Sequence, residues 1–399
     1  MTVYVKEIPC LRLHPKHIND QVVAEPQIYN LLLPHLYKDF RNTSDNFVAI
    51  SCFPPFPYND DIENKYCEYI KENLVDNNTK IVFDNVYEGH TVSCINGIHK
   101  IIQRLNLNSK NCYFVSGGME AQKFYDDFCK EKNIENKINI IILNSWERHL
   151  SIDTIRQKLN NSEFNTQNRE KLFLCFNRVW RIHRAFLLGL LYNKDLVKDS
   201  YYSYFPNLTH GGELPPTLDS VKDCVSDKTF LKIKNQLTLN KNHFPLNLNN
   251  QDGKINTNVV IPSDMDYYQN SYFSLVTETF FFDKSKEYDH IWEERSVFFS
   301  EKIFKPIICK HPFIIVSRPN SLEYLKKIGY KTFHPYIDES YDNIDNDEKR
   351  LLAIVEEVER LSKQDNVQWR EWLQNVKPIV EHNHNIIINK TVDDYHFKG

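Results

Sequence analysis

Glycine is scarce in this chain, 10 residues in 399, and none falls in G-x-G-x-x-G or in G-x-x-x-x-G-K-[ST]. P-loops and dinucleotide folds need glycine where the backbone closes on a phosphate, so those enzyme classes find little support. H-E-x-x-H and G-x-S-x-G are missing as well, which argues against zinc proteases and α/β-hydrolases. No run of about 18 apolar residues occurs, and the start, MTVYVKEIPCLRLHPKH, lacks a basic region followed by an apolar one. The nine cysteines contain no C-x-x-C and are odd in number, against a disulfide framework or structural zinc. Neither charge sign dominates: 49 Lys and Arg face 53 Asp and Glu, with no basic block to nominate nucleic acid or a membrane. These absences predict a cytoplasmic protein of a reducing compartment, without a transmembrane segment.

What is present is material for a large core. Hydrophobic residues make up 41% and aromatics 13%, and the length suits two domains or more. Between 20 and 150, short apolar runs (FVAISCF, IVFDNVY, CYFVSGG, INIIILNSW) alternate with helix-like segments, a pattern that predicts a parallel sheet flanked by helices. The polar stretch NNSEFNTQNRE at 160–170 reads as a connection, so domains over 1–165 and 166–399 are expected. A second alternation begins with the strand KLFLCF and a helix from Arg181 to Tyr192. The stretch 195–268 reads as long loops with short elements. Order returns with the strand YFSLVTETFFF, a helix from FSEKIFKPIICK, the strand HPFIIVS, a helix NSLEYLKKIG and a strand KTFHPY. For NSLEYLKKIG, Asn320 is the expected N-cap with Glu323 closing a capping box, and Gly329 the expected C′ residue. A helical segment from 347 to 388 is expected to pack back on the first domain.

Several groups could carry chemistry. Asp264-Met-Asp266 has the spacing of a D-x-D cation site, though in a chain this rich in Asp it reads first as surface loop; His382 and His384 read as a solvated polar turn. The densest signal is Asn177-Arg178-Val-Trp-Arg181-Ile-His183-Arg184, at the end of a strand and the start of a helix. Positive side chains there oppose the helix dipole, so an anion should compensate, and phosphate fits both the helix terminus and guanidinium forks. The competing reading pairs these arginines with acidic neighbours at the domain joint. A second signal is Ser300-Glu301-Lys302 entering an apolar helix, with Lys305 one turn on: the carboxylate can accept two ribose hydroxyls and the ammonium can reach a diphosphate.

Tyr272-Phe-Ser-Leu-Val-Thr-Glu278-Thr279, followed after a gap by Phe299-Ser300-Glu301-Lys302-Ile-Phe-Lys305-Pro306, resembles the donor-site signature of the alpha-1,3-fucosyltransferase family. That signature runs Tyr-Lys-Phe-x-Leu-x-Phe-Glu-Asn-Ser and then Tyr-Val-Thr-Glu-Lys-Leu. The chain is also similar to glycosyltransferase-like proteins of large DNA viruses, phages and bacteria, through Ser300 to Pro306, His311 to Ile314, and Leu325 to Phe333. Thr279 stands where the family has Asn and Ser300 where it has Thr. The resemblance implies an α/β, GT-B-like fold of two Rossmann-like domains facing an interdomain cleft. It further implies that Glu301 holds the ribose, Lys302 and Arg184 the diphosphate, and Glu278 the sugar end of a nucleotide-sugar donor. No metal or other cofactor is implied, because basic side chains neutralise the leaving diphosphate.

On this reading a carboxylate of the N-terminal domain deprotonates the acceptor hydroxyl. Glu88, following the strand IVFDNVY with Asp84 and His90 behind it, occupies the expected place. The acceptor stays open among glycans, lipid-linked sugars, proteins and modified DNA bases. A nucleotide-sugar epimerase of the same architecture, or a sugar- or nucleotide-binding protein without turnover, are the alternatives.

Overall fold

In a computed structural model the chain is described over residues 47–51, 60–85, 92–144, 146–147, 163–207, 217–246, 248, 265–282 and 297–390. It divides into two compact units: 1–145 with 291–298 and 391–399, and 146–290 with 299–390. The expected boundary at 165/166 abuts residues 148–162, which lie outside the described residues.

The first unit follows the predicted alternation. Strand β1 (Phe47–Ser51), helix α1 (Asp60–Asn73), β2 (Lys80–Asn85), α2 (Val92–Leu105), β3 (Cys112–Ser116), α3 (Ala121–Glu131) and β4 (Asn139–Ile142) build a sheet of order β1-β2-β3-β4. Every pairing is parallel, with Ile81 opposite Cys112 and Phe114 opposite Ile140. Buried Ile95, Ile98 and Ile102 of α2 recur at helical spacing, as do Ala121, Tyr125 and Phe128 of α3, so each helix lays one apolar face on the sheet. Tyr125 also closes the layer by polar contacts: its hydroxyl accepts from the Ile138 amide at 2.8 Å and lies 3.1 Å from His99 Nε2. Beyond β3, Gly118 bridges Phe298 and the Met119 amide donates to the Val297 carbonyl at 2.9 Å.

The second unit consists of β5 (Lys171–Cys175), α4 (Ile182–Asn193), β6 (Ser200–Tyr202), α5 (Asp227–Leu239), α6 (Met265–Gln269), β7 (Ser271–Thr277), α7 (Glu301–Ile308), β8 (Phe313–Val316), α8 (Ser321–Lys327), α9 (Asp347–Ser362) and α10 (Asn366–Asn389). All its strand pairs are parallel, in the order β6-β5-β7-β8. The chain therefore moves from β5 outward to β6, returns past β5 to β7, and continues outward to β8. All seven residues of β7 are buried, as expected for an inner strand of a parallel sheet. Helix α4 is buried over ten consecutive residues. α5 crosses it at Gly189, where an added Cβ would come within 3.0 Å of the Ile233 Cα. Two parallel-sheet α/β units are thus the fold that the alternation predicted.

Several local readings change. Helix α5 lies inside a stretch read as loops. The segment KTFHPY is not a strand: Phe333 and His334 donate their amides to the Glu339 carboxylate, and Asn383 accepts from the Lys331 amide (2.7 Å) and donates to the Lys331 carbonyl (2.8 Å). With those groups satisfied by side chains, no neighbouring strand is needed. The 347–388 segment is two helices, divided by a capping box in which Asp365 accepts from Val367 and Gln368 and the Gln368 side chain accepts from the Asp365 amide. Asn320 does not cap α8, having φ 64° and no side-chain cap bond. Asp342 replaces it, accepting from the Leu322 amide at 2.9 Å. Gly329, at φ 100°, does end that helix as expected.

Helix α10 packs on its own unit. Trp369 stacks on Tyr272 with centroids 3.9 Å apart, and Trp372 Nε1 donates to the Tyr336 carbonyl at 3.1 Å. His382 and His384 lie on this helix and not in a turn: they bond to the carbonyls of Gly329 and Ile308 at 3.1 and 2.8 Å. Tyr330 and Lys390 both bond to buried Glu147, which ties the residues where the chain enters this unit to those where it leaves. Among the described residues no helix is long and apolar enough to cross a membrane.

The Asp342 cap makes a pH prediction. Burial pushes its carboxyl up to about 7 from an ordinary 3.8. A raised carboxylate pKa means that the unfolded chain releases its proton first, so this group favours folding fully only below about pH 4, and that contribution is lost as pH rises to about 7. Urea stability measured across that interval should fall with rising pH more steeply in the parent than in Asp342→Asn; parallel curves would contradict the assignment.

Candidate functional site

The reversal between β5 and β7 fixes where a ligand could sit. When connections leave two adjacent parallel strands in opposite directions, a crevice opens outside their carboxyl ends. The residues there are Asn177, beyond β5, and Glu278, beyond β7. Thr277 Oγ1 donates to Asn177 Oδ1 at 2.5 Å across the two strand ends, while the Asn177 amide donates to Ser203 Oγ at 2.9 Å and so reaches the end of β6.

Helix α4 starts at this edge. Arg181 is its N-cap residue, with no side-chain cap and no acidic residue in the first turn. Arg184 is buried and donates to the carbonyls of Val179 (2.7 Å) and Thr277 (3.2 Å). It therefore joins the helix start to the end of β7, while Arg178 and Arg181 are half-buried at the same terminus. His183 is buried and its Nε2 donates to the Glu278 carbonyl at 2.9 Å. Burial first, then the neighbouring Arg184 and Arg181, with Lys302 also acting, hold its pKa well below the ordinary histidine range. The imidazole is thus neutral at pH 7, with its proton on Nε2.

Helix α7 supplies the opposing groups. Ser300 is its N-cap and accepts from the Lys302 amide at 3.3 Å. Ser300 in turn donates to Glu278: Oγ lies 2.5 Å from Oε2, and the amide is 3.3 Å from each carboxylate oxygen. Lys302 Nζ donates to Ser300 Oγ at 3.0 Å and pairs with Glu301 Oε1 at 3.1 Å. The two carboxylates sit in different fields. Burial pushes the Glu278 carboxyl up against the pull of Lys302 and Ser300. Burial also opposes charge on Glu301, but Lys302 and Lys305 outweigh it, and that carboxyl lies below its ordinary value. One basic helix terminus, one buried carboxylate and one Glu–Lys pair therefore meet at a single strand edge.

The structure brings together Asn177, Arg181, Arg184, Glu278, Ser300, Glu301 and Lys302, with Arg178 on the same terminus and Lys305 beside Glu301. Tyr272 is not among them. It begins β7 whereas Glu278 follows its end, about 20 Å away at about 3.3 Å per residue, and its ring is taken by Trp369. His183, already part of the basic run read in the sequence, joins this cluster through the Glu278 carbonyl. Sequence reasoning missed Phe281 and Arg350, which nothing in local sequence joins to the site. Glu88, His90 and Asp264 lie outside the described residues, while Asp84 is buried at the carboxyl end of β2.

No protein-family model matches this chain, and no curated protein matches it. Among solved structures it is similar to alpha,alpha-trehalose 6-phosphate synthase from Burkholderia multivorans, at 8% identity over 90% of this chain and 72% of that one, with a TM-score of 0.38. An alpha,alpha-trehalose-phosphate synthase (UDP-forming) from Burkholderia vietnamiensis gives 8% identity, 92% and 77% coverage and 0.39. A glycosyltransferase from Rickettsia africae gives 10%, 95%, 83% and 0.34. Likenesses this faint carry no argument about activity, which rests on the residues of the site.

Ser300 is the hinge of the arrangement, since it caps α7 and satisfies Glu278. Ser300→Ala removes the cap and leaves the buried carboxylate short of a donor, so unfolding free energy by urea titration should fall by about 1–3 kcal/mol. A loss within error would separate Glu278 from this network.

Proposed function

We propose that the protein is a glycosyltransferase that moves a sugar from a nucleotide diphosphate donor, a GDP-sugar by preference, to an acceptor hydroxyl. The observation that carries this reading is the convergence of the arginine-bearing start of α4 with Ser300, Glu301 and Lys302 at the β5/β7 reversal. A helix terminus with guanidinium groups and an ammonium suits the two phosphates, and the neighbouring carboxylate suits the two hydroxyls of a ribose. Without a donor, Lys302 and Glu301 satisfy each other. On binding, the diphosphate takes Lys302 and the ribose takes Glu301, so one ligand replaces both halves of an internal ion pair. Arg184 acts by bracing the helix start through its two carbonyl contacts. Glu278 faces the sugar end of the donor.

The reaction is direct displacement. The acceptor oxygen attacks the anomeric carbon as its proton passes to a carboxylate of the first unit, with Glu88 the proposed base. The bond from the anomeric carbon to the phosphate oxygen breaks, and the nucleoside diphosphate leaves with the electron pair. Lys302 and Arg181 stabilise that leaving charge where it develops. Basic side chains thus fill the place of a divalent cation, and no cofactor is proposed. The expected setting is the cytoplasm, with a glycan or another hydroxyl-bearing acceptor, including a modified DNA base.

Calorimetric titration tests the donor half. Lys302→Ala and Arg181→Ala should each weaken GDP binding about 10- to 100-fold, since a charge-assisted hydrogen bond contributes roughly 1.5–3 kcal/mol, and neither should weaken guanosine binding. Equal losses for GDP and guanosine would defeat the site.

The chemistry is tested separately. Turnover of a donor-acceptor pair should persist in excess EDTA, and Glu88→Gln should lower it about 100-fold or more with GDP affinity retained. Loss on chelation with recovery in manganese would replace the basic groups by a metal, and full activity in Glu88→Gln would move the base elsewhere.

A further inference from the structure

Arg350, in the first turn of α9, is only 1% exposed. Its guanidinium has five N–H groups, and five acceptors surround it. Nε donates to the Ser317 carbonyl at 3.1 Å. The NH1 group donates to the carbonyls of Ile344 (2.7 Å) and Asp345 (3.2 Å). The NH2 group donates to the Phe281 carbonyl (2.8 Å) and to Asp347 Oδ1 (2.6 Å). Ser317 is the first residue after β8 and Phe281 follows β7, so one side chain fixes the loops leaving two adjacent strands at the edge that carries the site.

The contacts continue toward the site. The guanidinium carbon stands 4.5 Å from the centroid of the Phe281 ring, a cation–π distance. The same ring stacks on His183, with centroids 5.7 Å apart and planes within 19°, and His183 Nε2 holds the Glu278 carbonyl. A continuous path therefore runs from Arg350 through Phe281 and His183 to Glu278. Filling space would not require this arrangement, because a buried charge with its partners is often replaceable by apolar side chains at no loss of stability. Its effect is to set two loops and one imidazole at once.

We infer that Arg350 is a positioning residue: acting through Phe281 and His183, it sets the basic start of α4 against Glu278. The inference rests on the proposed diphosphate reading only for the ligand used to test it. Lysine at this position keeps the charge but offers three donors and no planar face, and leucine at 281 keeps the apolar volume but removes the ring that links Arg350 to His183.

The experiment compares the parent with Arg350→Lys, Phe281→Leu, their double mutant, and Val358→Ala. Val358 is a fully buried residue of α9 outside the path, so its truncation serves as a stability control. Selectively labelled histidine reports the His183 ring by NMR, assigned by the signal missing in His183→Gln. Calorimetry with inorganic pyrophosphate reports anion binding, and urea titration reports stability. Arg350→Lys and Phe281→Leu should each shift the His183 signals and weaken pyrophosphate binding about tenfold, the double mutant being little worse than either, as coupled neighbours behave. Val358→Ala should lower the urea midpoint and leave the other two readouts at parental values. Parental His183 signals in Phe281→Leu, or equal shifts in Val358→Ala, would overturn the inference. If Arg350→Lys fails to fold, Phe281→Leu decides alone. If the parent does not bind pyrophosphate yet Phe281→Leu and Arg350→Lys shift His183, the donor reading falls and the positioning role stands.

Discussion

The buried carboxylate of Glu278 is the constraint around which the second unit is arranged. A carboxylate with no exposed surface is costly unless its oxygens are satisfied, and burial alone would drive it neutral. Ser300 provides both an O–H and an N–H, and can do so only because α7 begins at that residue. The start of α7 is thereby fixed by an acceptor on another element, and the positions of Glu301 and Lys302 follow as its first and second helical residues. The backbone of the same glutamate carries the other side of the site: its carbonyl receives His183, and its amide donates to the Val316 carbonyl of β8 at 3.0 Å.

Topology explains why this cluster could form at all. In the first unit, β1 to β4 follow one another across the sheet and no reversal separates them. In the second, the return from β6 past β5 to β7 leaves the two strand ends with connections running apart. Asn177 and Thr277 meet across that gap, and α4 and α7 both begin at its rim. At the start of α4, Arg184 reaches over to the Thr277 carbonyl, and just before it Ser203 takes the Asn177 amide.

Much of this was legible in sequence, and the failures have physical causes. Alternating apolar runs announced β2, β3, β5, β7 and β8, because strands of parallel sheets are buried on both faces and read as continuous apolar segments. The basic run from Arg178 to Arg184 and the triplet from Ser300 to Lys302 stood out because each breaks a local preference, positive charge at a helix start and charged residues entering an apolar helix. KTFHPY misled because its residues suit a strand, while the decision was made by Glu339 and Asn383, the latter more than fifty residues away. Tyr272 misled in a related way: it belongs to the right strand but the wrong end of it, and sequence spacing within a motif does not distinguish the two ends of an extended segment about 20 Å long. Helix α5 hid among polar residues, with only Phe230, Ile233 and Leu237 marking its buried face.

The electrostatics of the site follow from these placements. His183 stays neutral among arginines, which keeps it a hydrogen-bond donor with a fixed tautomer and spares the helix start a further charge. Glu301 and Lys302 are adjacent in sequence and paired in space, so the two groups proposed to take the ribose and the diphosphate form an internal ion pair. Separating such a pair by one ligand costs little only when the ligand offers an anion and a hydrogen-bond donor at matching separation. The proposed donor would draw on both members of this contact, the diphosphate on the Lys302 ammonium and the ribose on the Glu301 carboxylate, so the contact opposes each part separately and is offset most fully when both are present.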